Sequence, residues 1–191
     1  DVLPYVHKTD IEWKTIPLPE ILITIRNKLK NAILFRLNRI EATGIIKISN
    51  KNNINMKKLL DFRLNIEKSG NSNARSDIIS AIRLSHAINL IETQSIKSFL
   101  KFFDRLSKRY SVIGLRQLLE DPDVKSAYES ARGISLLGFE HPKINELKKL
   151  MNLLKGEKAI VFTGYRDSVE CIFESLSSDG FRVWFLIGKS A

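Results

Sequence analysis

From Glu20 onward the apolar residues fall into the period of a helix and keep it for more than twenty positions. Leu22, Ile25, Leu29, Ile33, Leu37 and Ile40 line one face until Thr43-Gly44 stops the run. At 1.5 Å per residue this predicts a single helix of about 33 Å. Pro17 and Pro19 stiffen the approach to it, and Pro19-Glu20 suits a first helical turn. Arg26, Lys28, Lys30, Arg36 and Arg39 are assigned to its other faces.

Further helical patterns follow. Met56 to Lys68 reads as a second helix, ending in the polar turn Ser69-Gly70-Asn71-Ser72-Asn73. A third is predicted from Ser76, whose hydroxyl suits a cap, through Ile78, Ile79, Ile82, His86 and Leu90. His86 falls on its apolar side and reads as a buried, hydrogen-bonded histidine, because no second metal-type residue stands one turn away. The pattern breaks at Thr93-Gln94-Ser95. Gly114 to Glu120 is a short helix, and Asp121-Pro122 caps another that runs to Gly133. Ile134 to Gly138 reads as a linker before a helix opened by His141-Pro142.

The segment after Ser95 is the cleanest amphipathic stretch. Ile96, Phe99, Leu100, Phe103, Leu106 and Tyr110 fall on one side of a helical wheel, and Lys97, Lys101, Arg105, Lys108 and Arg109 on the other. Two readings of that stripe stand side by side. It is either a solvated face with snorkelling side chains or a row of cations that follows phosphates. The second gains weight because faces made for water mix signs at i and i+4, where like charges repel, and here only Asp104 breaks the sign.

Ala159 to Phe162 is a short apolar run bounded by charge and glycine, predicting a strand buried on both faces. Thr163-Gly164 ends it, and Asp167 or Ser168 is placed to cap an amphipathic helix through Val169, Ile172, Phe173 and Leu176. Phe181 to Ile187 predicts a second strand, and two parallel strands joined by a helical crossover are the economical arrangement. Ligands gather at the carboxyl ends of such strands, which singles out Thr163, Gly164, Tyr165 and Arg166. At the other end Ile11 and Trp13 alternate with Asp10, Glu12 and Lys14, suggesting an extended segment or edge strand.

Composition narrows the function classes. Among 191 residues 43% are hydrophobic and 27% charged, with no apolar run of membrane length. The net charge of +10, from 31 Lys and Arg against 21 Asp and Glu, favours polyanionic partners. It is concentrated early: nine basic residues and one acid, Glu41, lie between Ile21 and Lys58, and six and one, Asp104, between Ser95 and Arg116. The lone Cys171 excludes an internal disulfide and points to a reducing cytoplasm, with core packing as its role. There is no GxxxxGK[ST] loop and no Rossmann glycine spacing. His7, His86 and His141 do not pair with Cys or carboxylates at metal spacing. No catalytic, cofactor or metal residue is assigned. A start at Asp1 and an end at Lys189-Ser190-Ala191 read as a piece of a longer protein.

The sequence GFEHPKINELKKLM, then KAIVFTGYRDSVECIFESL, then Leu186-Ile187-Gly188, resembles the start of the second RecA-like domain of superfamily 2 helicases. The likeness is to the archaeal Hef type and its relative the Fanconi anaemia M translocase, with Dicer and RIG-I-like RNA helicases more distant. DVLPYVHKTDIEW resembles the last strand of the first RecA-like domain, and the basic helical section resembles the insert such enzymes carry between their motor domains. Ile160 to Thr163 with Tyr165 and Arg166 is similar to helicase motif IV, whose loop in the family meets the nucleic-acid backbone. The resemblance thereby implies backbone contacts from Thr163, Gly164 and Arg166, with Gly188 nearby. It also implies ATP and Mg for the parent, though not for this piece.

The expected fold is mainly α: a basic, thumb-like helix bundle followed by a partial α/β RecA-like unit with parallel strands. Three regions are expected: a terminal strand segment (1–16), the helical insert (17–138) and the first part of the second RecA-like domain (139–191). The expected nucleic-acid contacts are Arg26, Lys30, Lys97, Lys101, Arg105, Lys108, Arg109, Thr163, Gly164 and Arg166. The expected partner is double-stranded or fork DNA, alongside replication or repair proteins, in the cytoplasm. An RNA helicase of the Dicer and RIG-I branch remains the alternative. So does a protein-docking module, which would expose Phe102 or Tyr128 in an apolar patch.

Overall fold

The computed structural model describes residues 10–51, 54–109, 113–154 and 156–188. Among these the chain forms eight helices. They are α1 (Glu20–Ala42), α2 (Met56–Ser69), α3 (Ser72–Thr93), α4 (Ile96–Ser107), α5 (Ile113–Leu119), α6 (Pro122–Leu136), α7 (Pro142–Leu153) and α8 (Arg166–Ser178).

The long α1 is the spine, packing along α3 and α6. Its first half places Leu22, Ile25, Leu29 and Ala32 in a core with Leu84, Leu90, Phe99, Leu118 and Val124. Its second half places Leu37 and Ile40 in another core with Leu59, Ile66 and Ile78. α3 likewise runs through both, so two long helices join what would otherwise be separate small cores. Arg36 departs from the outer face assigned to it. It lies one turn from both Ala32 and Ile40, and the helical period carries it inward regardless of its charge. Its guanidinium is buried, 2.8 Å from Asp121 Oδ2 and 2.8 Å from the Ala32 carbonyl. Asp121 Oδ1 meanwhile accepts the backbone N–H groups of Asp123 and Val124, so one carboxylate caps α6 and neutralises α1.

Two helix boundaries are corrected. α3 begins at Ser72, four residues before the predicted start, because Asn71 accepts the N–H of Ala74 while Gly70, at φ 70°, closes α2 in the left-handed conformation. Ser76 is then inside α3, where its Oγ stands 2.6 Å from the position a Cβ on Gly114 would occupy, so a larger residue at 114 would force the Ser76 hydroxyl to turn away. α6 passes through Gly133 to Leu136, since an interior glycine costs about 1 kcal/mol without breaking a packed helix. The expected break at Thr93-Gln94-Ser95 separates α3 from α4, and Ser95 caps α4, its hydroxyl accepting the N–H of Ser98.

The predicted parallel strands do not form among the described residues. The segments on either side of α8 are extended but carry no ladder; Ile160 is 81%, Phe162 90% and Trp184 83% exposed. A parallel strand requires a neighbouring strand for its N–H and C=O groups and cover on both faces, and neither segment has these here. The second is held to α8 instead by the edge-on rings of Phe173 and Phe185 and by the Phe181 N–H on the Leu176 carbonyl. Residues 10–16 likewise form no strand, and Trp13 is exposed. Asp1 to Thr9 and Tyr110, which the sequence assigns to an extended segment and to the apolar side of α4, lie outside the described residues. Among the described residues no helix is long and apolar enough to cross a membrane.

Candidate nucleic-acid interface

α4 is built to face two ways. Phe99 and Phe103 are buried in the bundle core, and on the opposite side of the helix Lys97, Lys101 and Arg105 form a row at i, i+4 and i+8. α8 presents the complementary row at i, i+3 and i+7. Lys97 pairs with Glu174 at 3.1 Å, Lys101 with Glu170 at 2.6 Å, and Arg105 with both oxygens of Asp167 at 2.7 and 3.1 Å. The rising numbers on one helix meet falling numbers on the other, so α4 and α8 run antiparallel with one ion pair per turn. The hydrogen bond it donates to Glu170 holds Lys101 above the ordinary lysine range, and those it donates to Asp167 do the same for Arg105. This answers the like-charge repulsion noted in the sequence: the compensating anions lie on another helix.

The corner before α8 is fastened to the end of α3. Gln94 Oε1 accepts hydrogen bonds from the hydroxyls of Thr163 (3.3 Å) and Ser168. The Tyr165 hydroxyl reaches Asn89 Oδ1 at 3.4 Å, and its ring lies 5.5 Å from that of His86. His86 is half-buried between Tyr165 and Phe102, and burial, then the charge of Arg105, holds it below the usual imidazole range against the pull of Asp167. Ser168 and Asp167, expected as caps for α8, are thus occupied elsewhere; Tyr165 takes the N-cap position without a side-chain bond. Arg166 donates to the carbonyl of Gly188 at 2.8 Å, while Gly164 is exposed with open space where a Cβ would stand.

The remaining candidates are dispersed. Arg26 meets Glu92 at 3.4 Å on the α1 and α3 side. Lys30, Lys108 and Arg109 are exposed and form no ion pair among the described residues. Beside the end of α4 stands Arg83 of α3, which sequence reasoning passed over. Burial and then the charge of Arg109 hold it below the usual guanidinium range. Two guanidinium groups in each other's field make this corner electropositive. The sequence also offered, unused, the acids at 167, 170 and 174, whose spacing matches the α4 row. Gln94 carried no signal, since a lone glutamine in a helix break has no pattern. Phe102 and Tyr128, which a docking surface would expose, pack against the core.

Comparison with known proteins fits this architecture. The chain belongs to the family described as "Putative ATP-dependent RNA helicase, helical bundle", which matches residues 21–132, more than half of its length. A protein of Methanocaldococcus jannaschii described as "Putative ATP-dependent RNA helicase" is 25% identical over 198 residues, covering 100% of this chain and 25% of its own length. The crystal structure of the Pyrococcus furiosus Hef helicase domain matches with a TM-score of 0.79 and 27% identity, covering 100% of this chain and 42% of that one. The resemblance to the Hef type is therefore shown, and the chain spans a quarter of the length of one relative and less than half of the other.

Proposed function

We propose that this chain is the backbone-gripping helical module of an ATP-driven superfamily 2 translocase, acting on duplex or forked DNA. The observation that carries the reading is the unneutralised corner of Arg83, Lys108 and Arg109, in a bundle whose family consists of helicases. Arg83 on α3 and Lys108 and Arg109 in the turn that follows α4, with no carboxylate paired to them among the described residues, attract phosphates without reading bases. Residues 17–138 form the insert in this reading, and 139–191 belong to the second motor domain. The residues present do not form a phosphate-cradling loop, and among those described no group of three metal-type side chains gathers. ATP and Mg are accordingly proposed for other parts of a longer protein, and no step is routed through them here.

The test is binding of a labelled forked DNA duplex across a salt series. Replacing Lys108 and Arg109 by Ala should weaken binding alike for all sequences and flatten the logarithmic salt dependence by about one per phosphate contact removed. Unchanged affinity and slope would remove this corner from the interface. A second reading, an RNA substrate, is favoured by the description of the Methanocaldococcus jannaschii relative as an RNA helicase. Phosphate contacts do not register the 2′-hydroxyl, so competition between matched RNA and DNA forks decides between them.

A further inference from the structure

We infer that the row Lys97, Lys101 and Arg105 is a second phosphate-binding surface held closed by α8, whose acidic row stands in for a polyanion and is exchanged for a nucleic-acid backbone. The inference rests on the backbone-binding reading above and deepens it.

The contact between α4 and α8 has the marks of a seat that opens. Two of its three ion pairs are in water, the Lys97 and Glu174 side chains being 62% and 56% exposed and those of Lys101 and Glu170 about half exposed, while in the third Arg105 is exposed and Asp167 sheltered. Exposed pairs contribute little net stability and are screened by salt. The apolar side chains of α4 face the bundle, and of α8 only Leu176 is a fully buried hydrophobe. Little apolar surface therefore resists separation, as in contacts between parts of a chain that move relative to each other. Cations one turn apart on a straight helix suit successive charges on a polyanion, and Asp167, Glu170 and Glu174 already present one.

The exchange has an ionic signature. When a phosphate replaces a carboxylate on Lys101, the nucleic acid releases a counterion and the freed Glu170 takes one up. These three contacts are then nearly silent in the salt dependence of the wild-type chain. If Asp167, Glu170 and Glu174 become Asn, Gln and Gln, the uptake disappears. The logarithmic slope should steepen by about three, at about 0.9 per phosphate on duplex DNA, with binding tighter by roughly tenfold or more at low salt. A control variant with Asp61→Asn, Glu129→Gln and Glu157→Gln removes equal charge away from the seat and should change the slope little.

The experiment titrates the labelled forked DNA against wild type, the α8 variant, the control, and the α8 variant carrying also Lys97→Gln, Lys101→Gln and Arg105→Gln. The expected result is a gain in the α8 variant alone, abolished by the added α4 changes. Hydrogen exchange of the α8 amides in the wild-type chain, which depends on no variant folding, should accelerate on saturation with the DNA. An α8 variant matching the control, or α8 amides unaffected by bound DNA, overturns the inference while leaving the backbone-binding reading intact. No binding by any of the proteins, wild type included, overturns both.

Discussion

The helical bundle and α8 are held by opposite means. Inside the bundle α1 and α3 bury aliphatic side chains along their length, and the ion pair of Arg36 with Asp121 is largely shielded from water. α8 instead rests on α4 through exposed ion pairs and on the α3 end through the Gln94 carbonyl oxygen. The same residue types serve both regions, so what differs is the water around them. A cation in the bundle core is structural and cannot be spared, whereas a cation on α4 can change partner.

The sharpest way to break that contrast is to remove Arg36. Arg36→Ala strands the Asp121 carboxylate in a site it shares with the α6 cap, and loss of one partner from a buried pair costs about 3–5 kcal/mol. Denaturant unfolding of the bundle should register a loss of that size with little dependence on salt. A loss below about 1 kcal/mol would mean that water reaches the pair as it does on α4.

A smaller effect comes from acid. His141 is buried at the start of α7, where Nδ1 accepts the Lys143 N–H and Nε2–H therefore donates to the Ile91 carbonyl at 3.1 Å. Burial holds its ionisation below the ordinary 6.5, the bond to Ile91 opposing and the charge of Lys143 adding. The unfolded chain thus takes up the proton first. Stability should be full above about 6.5 and decline as the pH falls below it. Unfolding midpoints across that range check the sign. His141→Gln should flatten part of the decline, the remainder belonging to His86, which burial shifts the same way.

Gln94 comes next. Gln94→Ala removes the acceptor for Thr163 and Ser168, and each such bond is worth about 1 kcal/mol. The loss should be local: faster hydrogen exchange at residues 163–168, with the bundle amides unchanged. Accelerated exchange throughout α1 and α3 would show that corner and bundle unfold as one unit.

The bundle was the legible part because helical period and caps are local properties. The stripe of α1, the break at Thr93-Gln94-Ser95 and the cap at Asp121 each follow from a few neighbouring residues. Arg36 was misplaced because residue type was weighed above the period that points it inward, and α3 started early because Asn71 competes better as a cap than Ser76. The strands after Lys158 failed for a different reason: apolar runs mark a capacity for pairing, and a ladder depends on a neighbour that no local pattern supplies. Of the basic stripe, Lys97, Lys101 and Arg105 form a row on α4 while Lys108 and Arg109 fall in the turn after Ser107, and the partner row on α8 lies more than sixty residues away. Only the match between the two spacings connects them.

The smallest expected effect sharpens the comparison most. A double-mutant cycle between Lys97 and Glu174 should give a coupling of about 0.2–1 kcal/mol, because both side chains lie in water and surrender rotamer freedom to meet. The cycle between Arg105 and Asp167 should sit at the upper end of that range. Its two parallel bonds fix the geometry, and the Asp167 side chain is only 17% exposed. Both couplings should shrink as salt is raised, since exposed charges are screened. A gradient of strength from Lys97 towards Arg105 means that α8 hinges at its Tyr165 end, where the loop is tied to α3, and lifts first at Glu174. Equal couplings that ignore salt would instead make the α4 face as closed as the core, and the two regions would no longer differ in kind.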